Sequence, residues 1–284
     1  MSSEPSPVCR FAIRLSYAGT DFCGWQSQKG SAASGAPSIQ ETLHSALRQI
    51  TRIGDAKVVG SGRTDAGVHA LSQIAHTDLP DLPAARGKDY TEVLANGLNG
   101  TLPGSIRVLG VYRVGARFHA QHDALRKQYC YYFQQGSSAV PHLSPFSWWI
   151  RHPLDRTKMG EALKPLIGEH DFKPFQASGA KPGSTVRTVF EADLTEIIPT
   201  FPAGHQSLGL SLVRFRILGS GFLKQMVRGI AGTLLQVGEG YRPPTCIAEI
   251  LDTQMRKSVG PTAPARGLWL ENVWYDEPAL SRPL

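Results

Sequence analysis

The strongest constraint in the chain is the run Gly60-Ser61-Gly62-Arg63-Thr64-Asp65-Ala66-Gly67-Val68-His69-Ala70, in which three glycines surround one carboxylate. Glycine reaches positive φ and lets a backbone or ligand come close, so the run suits a tight turn or a close approach rather than a helix. Two nucleotide-cofactor loops have comparable glycine spacing. In the dinucleotide fingerprint G-x-G-x-x-G, Gly60 and Gly62 fit, but Asp65 stands at the third glycine, where a carboxylate repels pyrophosphate. In the P-loop, Gly62 and Gly67 are correctly separated, but Val68-His69 replaces the required Lys-Ser/Thr. Both fail at the residues that carry the chemistry. Residue chemistry then leaves two readings of Asp65. It is an ionised nucleophile displayed beside Arg63 and Thr64, or an Asx residue that stabilises a β-turn.

Around this run, the hydrophobic periods predict an α+β chain. Residues 11–17 alternate at period two and predict a half-buried strand. Residues 106–112 alternate likewise, as do 210–218, with Val213, Phe215 and Ile217 on one face; 129–133 form an aromatic-rich strand. Ser38 and Glu41 have capping-box spacing ahead of the stripe Ile39, Leu43, Ala46, Leu47 and Ile50. A short helix is expected over 93–98. Asp155 is placed to cap a helix with the stripe Met159, Ala162, Leu163 and Leu166. Val227, Ile230, Leu234 and Val237 form another stripe, with Gly238 placed to end it. Residues 30–37 and 177–185 read as loops. An order of strand, helix, strand, helix, strand in each half favours two related halves over one large domain. We expect a tail over 1–9, an N-terminal half over 10–116, a C-terminal half over 117–278 and a tail over 279–284.

Composition narrows the function classes. The chain has 284 residues, 41% of them hydrophobic, and a mean hydropathy of −0.18, which supplies a substantial core and excludes wholesale disorder. No run approaches the ~20 apolar residues of a membrane span. The first ten residues lack the apolar stretch of a signal peptide. Cys9, Cys23, Cys130 and Cys246 form no C-x-x-C pair, which argues against a zinc knuckle or a stapled secreted fold and for a reducing cytoplasm. Of nine histidines only His119 and His122 are close in sequence, so no metal set is expected, and His69 reads as a structural or substrate-facing residue. A net charge of +7 admits nucleic acid as a partner without requiring it. Arg107, Arg113, Arg117, Arg126 and Lys127 form a basic series, a track for nucleic acid or simply a solvated face.

The sequence resembles the TruA-type tRNA pseudouridine synthases over about residues 10–275. The run GSGRTDAGVHA is similar to the family signature, and other matches follow in family order. They are Leu15–Thr20 with Gly24-Trp25-Gln26, Leu98-Asn99, Leu102-Pro103, Phe118-His119-Ala120, Lys127–Tyr131, His170-Asp171-Phe172, Arg187-Thr188, Met226-Val227-Arg228 and Ala263–Leu268. The resemblance implies two mainly antiparallel halves with helices on one face, joined into one long sheet with a central catalytic cleft. It implies isomerisation of uridine to pseudouridine in the tRNA anticodon stem-loop, positions 38–40, by a cytoplasmic homodimer without cofactor or metal. Asp65 is the implied nucleophile on a flipped-out uridine, whose unstacking costs a few kcal/mol. Tyr129 would stack on the base and relay a proton, and Arg228 would pair with Asp65. Arg63, Thr64, Gly67, His69 and Leu270 are the implied substrate-binding residues. Each has a plainer role: Tyr129 as a core aromatic, Arg228 as a helix-covering side chain, Arg63 as a solvated loop cation. The rival from another class is a catalytically silent RNA-binding module on the same scaffold. An NAD- or ATP-dependent enzyme is disfavoured by Asp65 and by Val68-His69.

Overall fold

The computed structural model describes residues 7–26, 35–54, 56–81, 87–180, 182–199 and 210–280. It is α+β with mostly antiparallel strands, and it divides into two compact units, Met1–Leu125 with Leu270–Leu284, and Arg126–Trp269. Among the described residues no helix is long and apolar enough to cross a membrane.

In unit 1 the chain runs β1 (Val8–Tyr17), α1 (Ile39–Thr51), β2 (Val59–Gly60), β3 (His69–Pro80), α2 (Tyr90–Thr101) and β4 (Ile106–Val114). The lateral order is β4-β1-β3, with β2 beside β3 and the last strand of the chain, β10 (Leu268–Tyr275), on the other side of β3. Helix α1 begins as its sequence predicts. The Ser38 hydroxyl accepts from the Glu41 backbone N–H and the Glu41 carboxylate accepts from the Ser38 N–H, which satisfies two orphan donors. Helix α2 is longer than the expected 93–98, because Asp89 accepts from the Thr91 N–H and sets its start at Tyr90.

Strand β1 departs from the half-buried expectation and is covered on both faces. Phe11, Ile13 and Leu15 are buried on one, where Phe11 meets the Tyr90 ring of α2 edge-on at 5.8 Å. Ala12 and Arg14 are buried on the other. There Arg14 lies 5.7 Å from the Tyr112 ring centre and its Nη2 donates to the Leu280 carbonyl, so a distant segment takes one of the guanidinium's hydrogen bonds. The alternation of β4 is also interrupted. Gly110 faces Arg14 and Val108 faces Leu15, so Leu109 is an extra residue that shifts the phase.

Unit 2 holds β5 (Ala124–Gln135, its first two residues in unit 1), β6 (Trp148–Ile150), α3 (Arg156–Leu163), β7 (Gly168–Asp171), β8 (Val186–Ile197), β9 (Ser211–Gly219), α4 (Met226–Gly238) and α5 (Cys246–Thr253). The lateral order is β5-β9-β8-β7, with β6 parallel to β5. This corrects the expected strand–helix alternation: three antiparallel strands follow α3, and α4 and α5 are consecutive. Asp155 caps α3 as expected, accepting from the Lys158 N–H. Helix α4 is buried nearly all round rather than along one stripe. Its small residues explain that burial. A methyl on Gly232 would lie 1.7 Å from the Pro261 carbonyl oxygen, and one on Gly238 would lie 2.6 Å from the Met159 sulfur. Gly238 is thus the last helical residue, kept small by α3; Gly240, at φ +79°, takes the left-handed turn. The loop expected over 30–37 lies outside the described residues for 30–34, as do residues 1–6 and 281–284 of the two tails.

Candidate active site

The run from Gly60 to Ala70 leaves β2, crosses an irregular loop and enters β3. Its first residues are tied to β3 by a buried glutamine. The Ser61 N–H donates to the Ile74 carbonyl at 2.7 Å, the Ser61 hydroxyl bonds the Gln73 side-chain oxygen, and Gln73 Nε2 donates to the Gly62 carbonyl at 3.0 Å. The middle is a tight turn. The Val68 N–H donates to the Asp65 carbonyl at 3.1 Å, and Gly67 at φ +78° supplies the positive angle that the third position of a type II turn needs. This turn closes through the Asp65 backbone carbonyl, so the aspartate is used in the turn by its main chain.

The segment after β1 clamps this loop from outside. Trp25 N–H donates to the Thr64 carbonyl at 3.0 Å, and the Tyr17 hydroxyl bonds Thr64 Oγ1 at 2.9 Å. Gly19 N–H donates to Nδ1 of His69, which fixes that nitrogen as an acceptor. Three glycines permit the approach. A Cβ on Gly19 would stand 1.9 Å from the Val68 carbonyl oxygen, one on Gly24 would stand 2.6 Å from the Thr64 oxygen, and one on Gly60 would enter the Trp25 indole. Burial pushes the Tyr17 hydroxyl up to about 12, so it stays a neutral hydrogen-bonding group.

Arg63, Thr64, Asp65, Gly67 and His69 therefore sit on one braced loop with distinct surroundings, whereas Leu270 lies apart on β10. Arg63 and Ala66 are exposed, Asp65 and Gly67 are half-buried, and Thr64, Val68 and His69 are buried. His69 has no exposed surface, and with Nδ1 engaged by Gly19 it acts as a brace of the loop. Leu270 is fully buried on β10. The braces Tyr17, Gly19, Gly24 and Trp25 lie in motifs visible in the sequence, but nothing there assigns them this task. Gln73 carries no sequence signal at all.

The Phe118-His119-Ala120 motif is a second fastened corner of unit 1. Ala120 N–H donates to Nδ1 of His76 on β3, Tyr275 donates its hydroxyl to the Ala120 carbonyl, and Arg10 donates to the Phe118 carbonyl. The rings of His76 and His119 are centred 4.8 Å apart, and those of His119 and His122 4.2 Å apart. Burial first, then the nearby Arg10 charge, lowers His76 to about 4. Among the described residues no group of three or more His, Cys, Asp or Glu could hold a metal ion. Arg113 is a poor fit to an RNA track, because it is paired with both Asp81 and Asp89.

Tyr129 and Arg228 belong to unit 2. Tyr129 lies on β5 opposite Ile217 of β9, 8% exposed, with its ring edge-on to Phe222 at 5.2 Å. Arg228 stands in the first turn of α4, half-buried, and its Nε donates to the Ala263 carbonyl at 2.7 Å. The Ala263 N–H returns a bond to the Arg228 carbonyl at 3.1 Å. The Ala263–Leu268 motif thereby fixes Arg228, and it fixes Tyr131 as well. Tyr131 donates its hydroxyl to the Pro264 carbonyl, and Gly267 leaves room for its ring.

Comparison with known proteins places the chain in a family. A family model described as tRNA pseudouridine synthase matches residues 13–123 and 162–276. The tRNA pseudouridine synthase A of Chlamydia muridarum is 38% identical over 269 residues, 95% of this chain and 93% of that protein. The tRNA pseudouridine synthase A of Levilactobacillus brevis is 35% identical over 268 residues, 94% and 93% of the two chains. That of Methylobacillus flagellatus is 36% identical over 267 residues, again 94% and 93%. With both the family model and these relatives spanning most of its length, the chain belongs to the tRNA pseudouridine synthase family.

Proposed function

We propose that this chain converts uridine to pseudouridine at positions 38–40 of the tRNA anticodon stem-loop, with Asp65 as the nucleophile, as a cytoplasmic homodimer. Family membership makes it an isomerase acting on tRNA uridine. The reaction conserves every atom. The C1′–N1 bond breaks, the uracil turns, a C1′–C5 bond forms, and the proton lost from C5 is balanced by one gained at N1. Asp65 attacks either C6 of the base or C1′ of the ribose. In both cases the carboxylate must be ionised and held still.

The observation that carries this reading is the Asp65 turn, half-exposed beside an exposed Arg63 yet anchored to three backbone segments. Such a mount presents a carboxylate to a large substrate without letting it wander. Tyr129 gives the flipped base a face worth about 1–3 kcal/mol of stacking and a hydroxyl for the C5 proton. In this proposal Arg228 is the cation that serves the nucleophile, and Arg63 fills the place the base has left. Thr64, Gly67 and His69 keep the loop in shape, and Leu270 borders the uracil. Asp65→Asn preserves size and removes the nucleophile. Pseudouridine formation in a tRNA transcript should fall by about 10³-fold or more while the transcript still binds. Near-normal turnover by this variant overturns the assignment.

A further inference from the structure

We propose that Gln73 is a positioning residue for Asp65, its side-chain amide setting where the Asp65 turn sits. The inference rests on Asp65 being the nucleophile, as read above. Gln73 stands on β3 opposite Leu15 of β1 and has no exposed surface. Leu15 and the strand neighbours Ile74 and Ala75 are equally buried and apolar. An apolar side chain would fill such a place without the cost of stripping water from an amide. A glutamine there is explained by what its amide bonds.

The amide has one workable orientation. Its oxygen accepts from the Ser61 hydroxyl and, at 3.2 Å, from the Ile74 N–H, which occupies both lone pairs. Its Nε2 donates to the Gly62 carbonyl at 3.0 Å. Turned over, the amide would set Nε2 against the Ile74 donor and its oxygen against the Gly62 carbonyl. A third link runs through Tyr17, whose hydroxyl bonds Thr64 Oγ1 at 2.9 Å. Burial pushes that hydroxyl up, and hydrogen bonds from Thr64 and then Gln73 oppose the rise. Of the four residues leading into Asp65, Ser61, Gly62 and Thr64 are thus referred to one amide, and the fourth, Arg63, is exposed.

This arrangement fixes register as well as distance. Adjacent loop residues meet the amide with opposite polarity, Ser61 as a donor and Gly62 as an acceptor, so a slip of one residue brings like groups together. Gln73 is itself held by the ladder between β3 and β1, so the loop takes its place from the sheet. Whichever atom Asp65 attacks, its carboxylate must be placed to better than about 1 Å. Gly62 is only three residues away, and a shift there carries into the turn that Asp65 begins.

The test uses the full chain and an unmodified tRNA transcript. Gln73→Met keeps the size and removes the amide; Gln73→Glu replaces Nε2 by an oxygen facing the Gly62 carbonyl. Thr77→Val is the control on the same strand, since Thr77 is fully buried and its hydroxyl has no hydrogen-bond partner among the described residues. Both Gln73 variants should lower the single-turnover rate by about 10²-fold while transcript affinity stays within about twofold of wild type. The Val68 N–H, which closes the Asp65 turn, should exchange with solvent at least about tenfold faster, the scale of one lost hydrogen bond. The Leu47 amide inside α1 should keep its wild-type exchange rate, and Thr77→Val should change none of these quantities. A glutamine that only stabilises the fold would speed Val68 and Leu47 exchange alike and leave the rate per folded molecule intact. That result overturns the positioning role, as does an equal loss of turnover in Thr77→Val. Should the Gln73 variants fail to fold, Ser61→Ala decides, because it removes one of the amide's bonds alone. About tenfold slower turnover with faster Val68 exchange supports the role, and no change in either overturns it. Turnover retained by Asp65→Asn is the separate failure of the nucleophile reading, because Val68 exchange is scored without tRNA.

Discussion

The two units mount their proposed catalytic residues in opposite ways. In unit 1 the carboxylate sits on a turn with no helix or strand of its own, and rigidity comes from outside through Gly19, Gly24, Trp25 and Tyr17. In unit 2 Tyr129 and Arg228 stand on a strand and in the first turn of a helix, whose own hydrogen bonds hold the backbone. Glycine does a matching job in each. In unit 1 it lets a loop be clamped; in unit 2 it lets α4 press against residues 259–263. The difference teaches that a reactive loop is as rigid as its neighbours make it, whereas a side chain on a regular element needs only correct packing.

The comparison is sharpened most by Tyr129→Phe. Its strand keeps the ring in place, so tRNA binding should persist while pseudouridine formation falls by about 10²–10⁴-fold, the usual worth of a positioned acid–base group. An unchanged rate removes the proton-relay role and leaves Tyr129 as a stacking surface alone. Next come two glycines that separate the mounting strategies. Gly19→Ala forces the Val68 carbonyl aside, and displacing the turn by about 1 Å should cost about 10²-fold in turnover per folded molecule. Gly232→Ala instead pushes α4 off Pro261 and should appear mainly as about 1–3 kcal/mol of lost stability in urea unfolding. If both variants lose stability but keep turnover, the loop is not held by its clamp.

The smallest effect concerns the fastened corner around His76. Its folded value, about 4, lies below the ordinary 6.5, so the folded state binds fewer protons than the unfolded one. Stability is therefore fully present above about pH 6.5 and drains as pH falls towards 4. Urea midpoints at pH 7.5 and 5 measure this loss. His76→Gln, which keeps an acceptor for the Ala120 N–H and does not titrate, should reduce the difference.

Legibility followed the range of the forces involved. The capping box at Ser38 and Glu41 and the cap at Asp155 act within one helical turn, and they are found where the sequence puts them. The buried row Val213, Phe215 and Ile217 is equally local in origin. Misreadings arose where a distant segment changed a surface into an interior. Leu280 and Tyr112 cover the second face of β1. Strand β3 carries no alternating apolar signal, because its buried residues include Gln73, His76 and Thr77, polar groups satisfied or enclosed only in the folded unit.

By itself the sequence determined the α+β class, the family and the single carboxylate around which three glycines gather, because these are properties of contiguous residues and their order. Only the tertiary structure decided what the neighbouring motifs are for. Leu15–Thr20 and Gly24–Gln26 became the clamp on the Asp65 turn, Phe118–Ala120 a corner fastened on His76, and Ala263–Leu268 the hold on Arg228. Such roles depend on hydrogen bonds and van der Waals gaps between residues 35 or more apart in the chain, and no local pattern encodes those distances.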